Sequence, residues 1–301
     1  MKTGLFEEIR TALRGSETRI LMCPPYHFDV RYEINPWMDT RNRVDRKEAW
    51  KQWKALYHLL GGEIGAKVEL VVPVAGLPDC VFTANAGLLA GDTFIASSFR
   101  YPERAREELH WQSWFESKGY RVVRLPPDLR FEGEGDLLAA GDLLLAGYTF
   151  RSDREAVERV GRLLRKEVLA LELADPWFYH LDTCACPLAD GSILYYPGAF
   201  TEEGRALIED RFPDAIKVPE EEARRFACNS VVIGRHVVIS ADCPVVGSEL
   251  RARGYKVHEV DVSEFLKAGG GPKCLVLILE RKGVRAEQLD TGRPLRAMRA
   301  A

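Results

Sequence analysis

The chain has 301 residues, of which 46% are hydrophobic and 29% charged, so it carries enough apolar material for a full globular core. A net charge of −3 gives no reason to expect a nucleic acid or an anionic membrane as partner, and no window reaches the roughly 18 consecutive apolar residues of a membrane span. The first 15 residues are too acidic and too poor in apolar residues for a signal peptide, so the sequence predicts a cytoplasmic protein.

The predicted elements begin with an apolar strand at 19–25 (RILMCPP) and a helix that ends at Gly61. From residue 85 onward one pattern recurs: a short polar residue, an apolar strand, a tight turn and a second apolar strand. The hairpins start at Asn85, Asp136, Asp182 and Asn229, and a fifth strand starts in the same way at Cys274. The starts lie 45 to 51 residues apart, and such a near-constant period marks a repeated supersecondary unit.

Helix signals lie between the hairpins. Pro102 opens a helix that Gly119 ends. Ser152 with Glu155 has the spacing of a capping box in front of the next helix, and Thr201 is the expected cap of the one after it. A further apolar strand follows most of these helices, so each unit is a hairpin, a helix and a strand.

An array of about five such units is stable only if each unit buries its apolar face on its neighbours. Closing the array into a ring removes its exposed ends, and the N-terminal strand is the natural piece to complete the last unit. We therefore expect one catalytic domain over residues 1–301, with a core at about 18–280. Its fold class is α/β, a five-bladed pseudo-symmetric α/β propeller.

The residues that open the repeats are polar or reactive, and equivalent positions in a ring would converge on one central site. Short polar residues also start strands as ordinary turn residues. That explanation does not account for a set that contains a cysteine, a histidine and carboxylates, which recurs in nucleophilic catalysis. The set is Asn85, Asp136 with Glu132 and Glu134 just before it, Asp182 with His180, Asn229 and Cys274.

Cys274 is the predicted nucleophile, because the three glycines before it permit unusual backbone angles and close approach of a ligand. His180 can move protons near neutral pH, and Asp182 lies two residues further on. Cys184 and Cys186 form a CxC pair, but no second pair stands at zinc spacing, so we expect small buried residues and neither a metal nor a cofactor. The seven widely spread cysteines predict no disulfide framework.

Five short motifs in a fixed order give the chain a resemblance to the guanidino-group-modifying enzymes. This superfamily contains arginine deiminases, dimethylarginine dimethylaminohydrolases, agmatine deiminases, succinylarginine dihydrolases and amidinotransferases. The resemblance spans about residues 18–280, and its fold, the pentein, is the five-bladed propeller that the repeats predict. The motifs are INPW (34–37), PDCVFTANAG (78–87), FEGEGD (131–136), HLDT (180–183) and GGGPKC (269–274).

The resemblance implies that the Cys274 thiolate attacks the guanidino carbon and that His180 acts as acid and base. An acid of FEGEGD and Asp182 would hold the guanidinium nitrogens. The family turn usually reads acid-Gly-Gly-Asp and here carries one extra residue, so the acid is Glu132 or Glu134, with Glu132 favoured. Val276 stands where family members often have Thr or Ser.

The resemblance also implies contacts to a small guanidino substrate. Arg104 and Arg151 fall where family arginines bind the α-carboxylate, although both lie near helix starts and are also compatible with a surface position. Asn85 stands where deiminases and dimethylargininases usually have an aspartate, and its amide can both donate and accept hydrogen bonds. Asn35 would be a second amide contact, and Asn229, Asp136 and Asp182 complete the predicted substrate-binding set.

These features are most similar to the cyanobacterial-type arginine dihydrolases, which convert arginine to ornithine, carbon dioxide and two ammonia molecules. The alternatives are a dimethylargininase or an arginine deiminase, both giving citrulline, and, less favoured, an amidinotransferase. A non-catalytic propeller that binds a macromolecule would lack the Cys/His pair. The exact substrate among arginine, methylarginine, agmatine and succinylarginine stays open, as does a homo-oligomer.

Overall fold

The computed structural model describes residues 18–280. The expectation about a signal peptide, and the two ends of the expected 1–301 domain, lie outside the described residues. None of the helices between residues 18 and 280 combines the length and the apolar character needed to cross a bilayer.

Within residues 18–280, five three-stranded sheets make up the β structure, and all have one topology. In each sheet the first strand pairs antiparallel with the second, and the second pairs parallel with the third. This confirms the α/β class and the five repeated units. The strands are β1 (Arg19–Met22), β2 (Lys67–Leu70), β3 (Gly87–Ala90), β4 (Thr93–Ala96), β5 (Arg121–Val123), β6 (Leu137–Ala140), β7 (Leu143–Tyr148), β8 (Glu167–Glu172), β9 (Ala185–Pro187), β10 (Ile193–Tyr195), β11 (Ile216–Lys217), β12 (Val231–Ile233), β13 (His236–Ser240), β14 (Lys256–Val260) and β15 (Leu277–Glu280).

A helix connects the second strand of each sheet to the third, because two parallel neighbours need a crossover. These crossover helices are α1 (Arg46–His58), α2 (Pro102–Ser117), α3 (Arg154–Leu164), α4 (Glu202–Arg211) and α6 (Pro244–Ala252), and two short helices are α5 (Glu220–Ala223) and α7 (Ser263–Leu266). In α3 the side chains of Val157, Val160 and Leu164 recur at helical spacing and are buried. As predicted, α2 begins at Pro102, and the Thr201 hydroxyl caps α4 by accepting the Gly204 N–H.

The fifth sheet is built from both ends of the described chain. β15 supplies its first strand and pairs antiparallel with β1, with Ile278 opposite Ile20 and Leu277 opposite Leu21. β2 then pairs parallel with β1. The prediction that the N-terminal strand completes the last unit is therefore confirmed.

The predicted capping box of α3 is wrong. The helix begins at Arg154 with Asp153 in the cap position, and Ser152 makes no cap. The Ser152 hydroxyl instead donates to Asp136 Oδ2 at 2.6 Å and accepts the Glu132 N–H at 2.9 Å. The Ser152 hydroxyl therefore makes two hydrogen bonds to residues distant in sequence and does not make the helix cap that the local sequence pattern predicts.

The polar residues predicted to open the hairpins lie in short turns ahead of the first strand of each sheet. Asn85 and Asp182 belong to single 3₁₀ turns that lead into β3 and β9, and Asp136 lies between the 3₁₀ turn Gly133–Gly135 and β6. Asn229 and Cys274 lie two and three residues before β12 and β15. These turns, rather than the strands themselves, carry the predicted site.

Candidate active site

Cys274 lies in a buried turn with its sulfur between an amide and a carboxylate. Asn229 Nδ2 donates to the sulfur at 3.1 Å, and the thiol donates to Asp182 Oδ2 at 3.4 Å. Burial and the Asp182 charge raise the pKa of the Cys274 thiol, while hydrogen bonds from Gly271 and Asn229 oppose that rise. These surroundings favour the neutral thiol over the thiolate.

Asp182 is as buried as Cys274, at 1% exposed. Burial raises the pKa of its carboxyl to about 7, against the Lys273 ammonium and the hydrogen bonds from Cys274 and Asn229, which lower it. Its carboxyl group is therefore poised between its neutral and charged forms near neutral pH. A cation beside it would favour the carboxylate.

The imidazole of His180 is hydrogen-bonded to the Glu132 carboxylate rather than to the Cys274 sulfur. Its Nε2 lies 2.8 Å from Glu132 Oε2. Arg151 Nη1 donates to the same oxygen at 3.0 Å, and the Arg100 N–H donates to Oε1 at 3.1 Å. Burial would raise the pKa of Glu132, but the Arg151 guanidinium and His180 outweigh it and hold that pKa below its usual range. The imidazole is thus held against a permanent anion.

The two acids of the FEGEGD turn that the sequence left open face different partners. Glu132 contacts His180, whereas Glu134 Oε2 accepts from Lys273 Nζ at 2.9 Å and from the Ile278 N–H at 3.2 Å. Glu134 and Lys273 are both buried, at 8% and 7% exposed. Only Glu132 touches the imidazole.

Asp136 supports the backbone that carries His180. Its Oδ1 accepts the Leu181 N–H at 3.2 Å, and its Oδ2 accepts the Ser152 N–H and hydroxyl. Oδ2 lies 4.0 Å from His180 Nε2, and burial raises the pKa of the carboxyl to about 6. Asp136, which was predicted to contact the substrate, therefore hydrogen-bonds to groups of the protein itself.

Asn85 is fixed by Arg104, whose Nη1 donates to its Oδ1 at 2.8 Å. Arg104 is buried at 3% exposed, and its Nε and Nη2 each donate to Glu107 at 2.8 Å. This bidentate pair orients the guanidinium, so the Asn85 amide presents its Nδ2 end away from Arg104. A Cβ on Gly135 would lie 2.5 Å from that Nδ2, which places the amide group against the FEGEGD turn.

Arg151 lies between two aromatic rings, 4.8 Å from the Tyr101 centroid and 4.5 Å from the Tyr179 centroid. Besides Glu132, it donates to the Ile34 carbonyl at 3.0 Å, and so it joins the INPW segment to the site. Neither predicted arginine lies at the surface. Both contact carboxylates of the chain itself.

Asn35 spans a turn beside the glycines before Cys274. Its Oδ1 accepts the Trp37 N–H at 2.9 Å, and its Nδ2 donates to the Ala268 carbonyl at 3.1 Å. The adjoining Gly269 has a φ of 77°, and a Cβ there would meet Asn35, Trp37 and Tyr179 at 3.0 Å. The structure places Asn35 at the edge of the site with both ends of its amide engaged.

Three buried polar atoms near these groups have no hydrogen-bond partner within residues 18–280: Asp182 Oδ1, Asn85 Nδ2 and Asp79 Oδ1. Such orphaned atoms are costly unless something pairs with them. Two acceptors and one donor match a ligand that is cationic and also carries an acceptor. Within the same residues, no three or more His, Cys, Asp or Glu side chains form a group that could hold a metal ion, and Cys184 and Cys186 are buried.

Sequence reasoning missed Asp79 and Glu107. Asp79 Oδ2 accepts from the Tyr32 hydroxyl at 2.9 Å, and burial raises the pKa of this carboxyl to about 6. Asp79 stands inside the PDCVFTANAG motif, where an acid directly before an apolar run was a usable signal. Glu107 lies one helical turn after Arg104, at a spacing that allows a pair, but nothing local says that this face of α2 is buried.

Within residues 18–280, five like sheets place a buried cysteine and a histidine–glutamate pair at their strand starts. These features define the class, an α/β pentein fold. The family model for eukaryotic N,N dimethylarginine dimethylhydrolase matches residues 30–281. The chain belongs to that family, within the guanidino-modifying enzymes that its motifs predict.

Two curated relatives are similar over most of the chain. The bifunctional arginine dihydrolase/ornithine cyclodeaminase AgrE of Nostoc sp. is 47% identical over 267 residues, which are 87% of this chain and 38% of that protein. The chain thus spans well under half the length of this bifunctional relative. The N(G),N(G)-dimethylarginine dimethylaminohydrolase of Mycobacterium tuberculosis is 44% identical over 259 residues, 86% of this chain and 85% of that protein.

Solved structures of the N-terminal domain of ArgZ, an arginine dihydrolase from the ornithine–ammonia cycle in cyanobacteria, match the fold. The product-bound structure superposes with a TM-score of 0.85 at 44% identity, covering 88% of this chain and 98% of that one. A second structure, of an ArgZ variant covalently bound to a reaction intermediate, gives a TM-score of 0.84 at 43% identity, over 88% of this chain and 98% of that one.

Proposed function

We propose that this chain is a guanidino hydrolase and, most specifically, an arginine dihydrolase that converts arginine to ornithine, carbon dioxide and ammonia. The observation that carries the proposal is the pairing of a buried thiol with Asp182 and Asn229 beside a His180–Glu132 couple. The similarity to AgrE and to the product-bound ArgZ domain supports arginine as substrate. The covalent intermediate held by an ArgZ variant supports a covalent route.

We infer further that the five sheets close as one ring-shaped domain with its core at 18–280. The β15–β1 pair joins the two ends of the array, and neighbouring strand-start turns touch in cyclic order. The contacts that support this order are Asn85 with Gly135, Asp136 with Leu181, Asp182 with Asn229, Asn229 with Cys274, and Cys274 with Ala84. A ring of this kind brings residues that are far apart in sequence to one axis.

Substrate binding begins the chemistry. A guanidinium against Asp182 would pair with the orphaned Oδ1 and stabilise the carboxylate, and the same positive charge would stabilise the Cys274 thiolate beside it. A carboxylate binds a guanidinium through two parallel hydrogen bonds, which fixes the plane of the planar carbon for attack. The thiol proton passes to solvent as the cation binds.

The first half-reaction replaces one nitrogen. The Cys274 sulfur bonds to the guanidino carbon, and the C–N bond to a terminal nitrogen breaks as His180, protonated, gives that nitrogen a proton and releases ammonia. A thiouronium remains on the sulfur. His180, now neutral, takes a proton from water as its oxygen bonds to the same carbon, and the C–S bond breaks to leave a ureido group. Glu132 stabilises the imidazolium in both steps.

The second half-reaction repeats this cycle on the ureido carbon. The sulfur adds, a second ammonia leaves, and water releases a carbamate that decomposes to ornithine and carbon dioxide. Two waters are consumed for each arginine. Asn85 suits this second stage in our proposal, because its free Nδ2 donates to the neutral ureido oxygen, which a carboxylate would repel.

The α-carboxylate and α-amino ends of the substrate need partners as well. We propose that Arg151, held between two rings, takes the carboxylate and that Asp79, with its orphaned Oδ1, takes the amino group. Arg104 would then act through Asn85, whose amide it orients. The bonds of Asp136 to Leu181 and Ser152 favour a supporting role for that carboxylate.

A dimethylarginine dimethylaminohydrolase is the second candidate. The family model and the M. tuberculosis relative favour it. Its chemistry would stop at citrulline and release dimethylamine. The orphaned Asp182 Oδ1 argues for arginine, because an N-methyl group facing it would leave that acceptor unpaired.

The test is incubation of the purified protein with arginine labelled at the guanidino carbon, with asymmetric dimethylarginine, agmatine and succinylarginine in parallel. We expect the label in carbon dioxide and two ammonia molecules for each ornithine. A halt at citrulline would identify a deiminase, and dimethylamine with inert arginine would identify the second candidate. Cys274→Ser should abolish turnover while the melting temperature is kept, and full activity in that variant would exclude the covalent route.

A further inference from the structure

The side-chain amide of Asn229 has every hydrogen-bonding position occupied inside the protein. Its Oδ1 accepts the N–H groups of Lys273 at 2.9 Å and Cys274 at 3.1 Å. Its Nδ2 donates to the Asp182 carbonyl at 2.9 Å and to the Cys274 sulfur at 3.1 Å. An amide has two donor and two acceptor positions, so none remains for a substrate.

The chain around Asn229 is shaped to hold this arrangement. The residue is fully buried, and a Cβ on Gly271 would come within 2.8 Å of its Oδ1. Two backbone N–H groups at one end of the amide fix which end is oxygen, and the NH₂ end is thereby aimed at the sulfur. The orientation is set by the turn that carries the nucleophile.

Other charged and titratable groups lie around the turn that carries the sulfur. The Asp182 carboxyl faces the sulfur at 3.4 Å, and the Tyr179 hydroxyl donates to the Gly269 carbonyl at 2.6 Å. The Lys273 ammonium is paired with Glu134 behind the turn. Asn229 is thus the side chain that offers the sulfur an N–H, and such a bond strengthens when the acceptor becomes an anion.

We propose that Asn229 is a catalytic residue of the nucleophile, which aims the Cys274 sulfur and stabilises its thiolate, and that it does not bind substrate. The role rests on the proposed function in one respect, that Cys274 is the nucleophile. It predicts a property of the free enzyme, the ionisation of one thiol, which is measurable without any guanidino compound.

The experiment titrates the ultraviolet absorbance of the thiolate in the intact protein, with Cys274→Ala subtracted to remove the other cysteines. In Asn229→Ala we expect the midpoint of the Cys274 thiolate titration to rise by roughly one to two pH units, because the anion loses its N–H donor. Asn35→Ala is the matched control, because that amide contacts a backbone carbonyl and a backbone N–H away from the sulfur, and its titration should match the wild type.

If Asn229 contacted the substrate instead, its replacement by Ala would raise KM and leave the thiol titration unchanged, and that result would overturn the proposal. Should this variant fail to fold, the side-chain amide resonance of Asn229 in the wild-type protein decides: it must shift with the same midpoint as the thiolate absorbance. If the protein does not turn over arginine but the Asn229 resonance and the thiolate absorbance share one midpoint, the proposed function is refuted. The proposed role of Asn229 then still stands.

Discussion

Replacement of Glu132 by Gln tests the histidine couple most directly. The substitution keeps the size of the side chain and an oxygen acceptor but removes the charge that lies 2.8 Å from His180 Nε2 and 3.0 Å from Arg151 Nη1. His180 then lacks the anion that stabilises its imidazolium, and general acid–base catalysis contributes about 10²- to 10⁴-fold. We expect kcat to fall by that factor.

The same change costs stability, because it leaves Arg151 charged, buried and without its partner. Both side chains are about 2% exposed or less, so solvent screening is slight, and breaking a buried pair costs about 3–5 kcal/mol. Urea unfolding measures this loss, and the steady-state rate of ammonia release measures kcat. The two losses should appear together in this variant.

Glu134→Gln is the matched control. It lies in the same turn and is also buried, but its partner is Lys273. We expect it to lose stability while it keeps most of its turnover. If Glu134→Gln abolished turnover while Glu132→Gln retained it, the acid–base couple would be assigned to the wrong acid.

Two further predictions concern the substrate end of the site. Asn85→Asp replaces the free Nδ2 donor with a carboxylate that repels a ureido oxygen, so citrulline should accumulate at the expense of ornithine; an unchanged product ratio by mass spectrometry would remove Asn85 from the selectivity. Burial raises the pKa of Asp182 to about 7, so its carboxyl is protonated below that pH, and arginine binding to Cys274→Ala should weaken as the pH falls from about 8 to 6. Calorimetry at pH 6 should find proton release on binding, and Asp182→Asn should abolish both effects.

The sign of the stability effect of Asp182 follows from the same raised pKa. A carboxyl whose folded pKa lies above its unfolded value near 3.9 stabilises the fold fully at low pH, and this contribution is lost as the pH rises through about 7. Glu132, with its pKa lowered, contributes in the opposite sense and keeps its stabilisation at neutral pH. Ionisation of Asp182 therefore destabilises the fold, whereas ionisation of Glu132 stabilises it.

The fold was predictable because it repeats. A period of 45 to 51 residues needs no knowledge of contacts, and the missing partner of the strand at Cys274 pointed to the N-terminal strand. The predicted cap at Ser152 failed because the hydroxyl serves Asp136, 16 residues away in the chain. Local sequence rules consider only partners that are near in the chain. In a buried site a side chain can instead bond to a residue that is distant in sequence.

The site was predictable in its members more than in its contacts. The polar residues at the strand starts were recognisable from position alone, but which neighbour each one meets depends on turns from other units. Arg104 illustrates this, since its bidentate partner Glu107 is near in sequence yet only the burial of α2 makes the pair significant. Asn229 illustrates it again, because its amide contacts the Cys274 sulfur, which lies 45 residues further along the chain.

The extra residue in FEGEGD, Glu134, forms a buried ion pair with Lys273, the residue before Cys274. Glu134 extends the turn by one position and pairs with Lys273 Nζ at 2.9 Å, and its Oε2 also accepts the Ile278 N–H of β15. Either charge alone would be buried and unpaired. The pair therefore ties the turn that carries Glu132 to β15, the strand that follows Cys274.

The ion pair between Glu134 and Lys273 predicts strong coupling between substitutions at these two positions. Lys273→Met alone leaves a buried carboxylate without its cation and should cost about 3–5 kcal/mol in the free energy of unfolding. Adding Glu134→Gln removes that charge and keeps an acceptor for the Ile278 N–H, so the double variant should recover most of the loss. Urea unfolding of both single variants and the double variant closes the cycle. Losses that simply add would mean that the two charges do not depend on each other, and the extra turn residue would need another explanation.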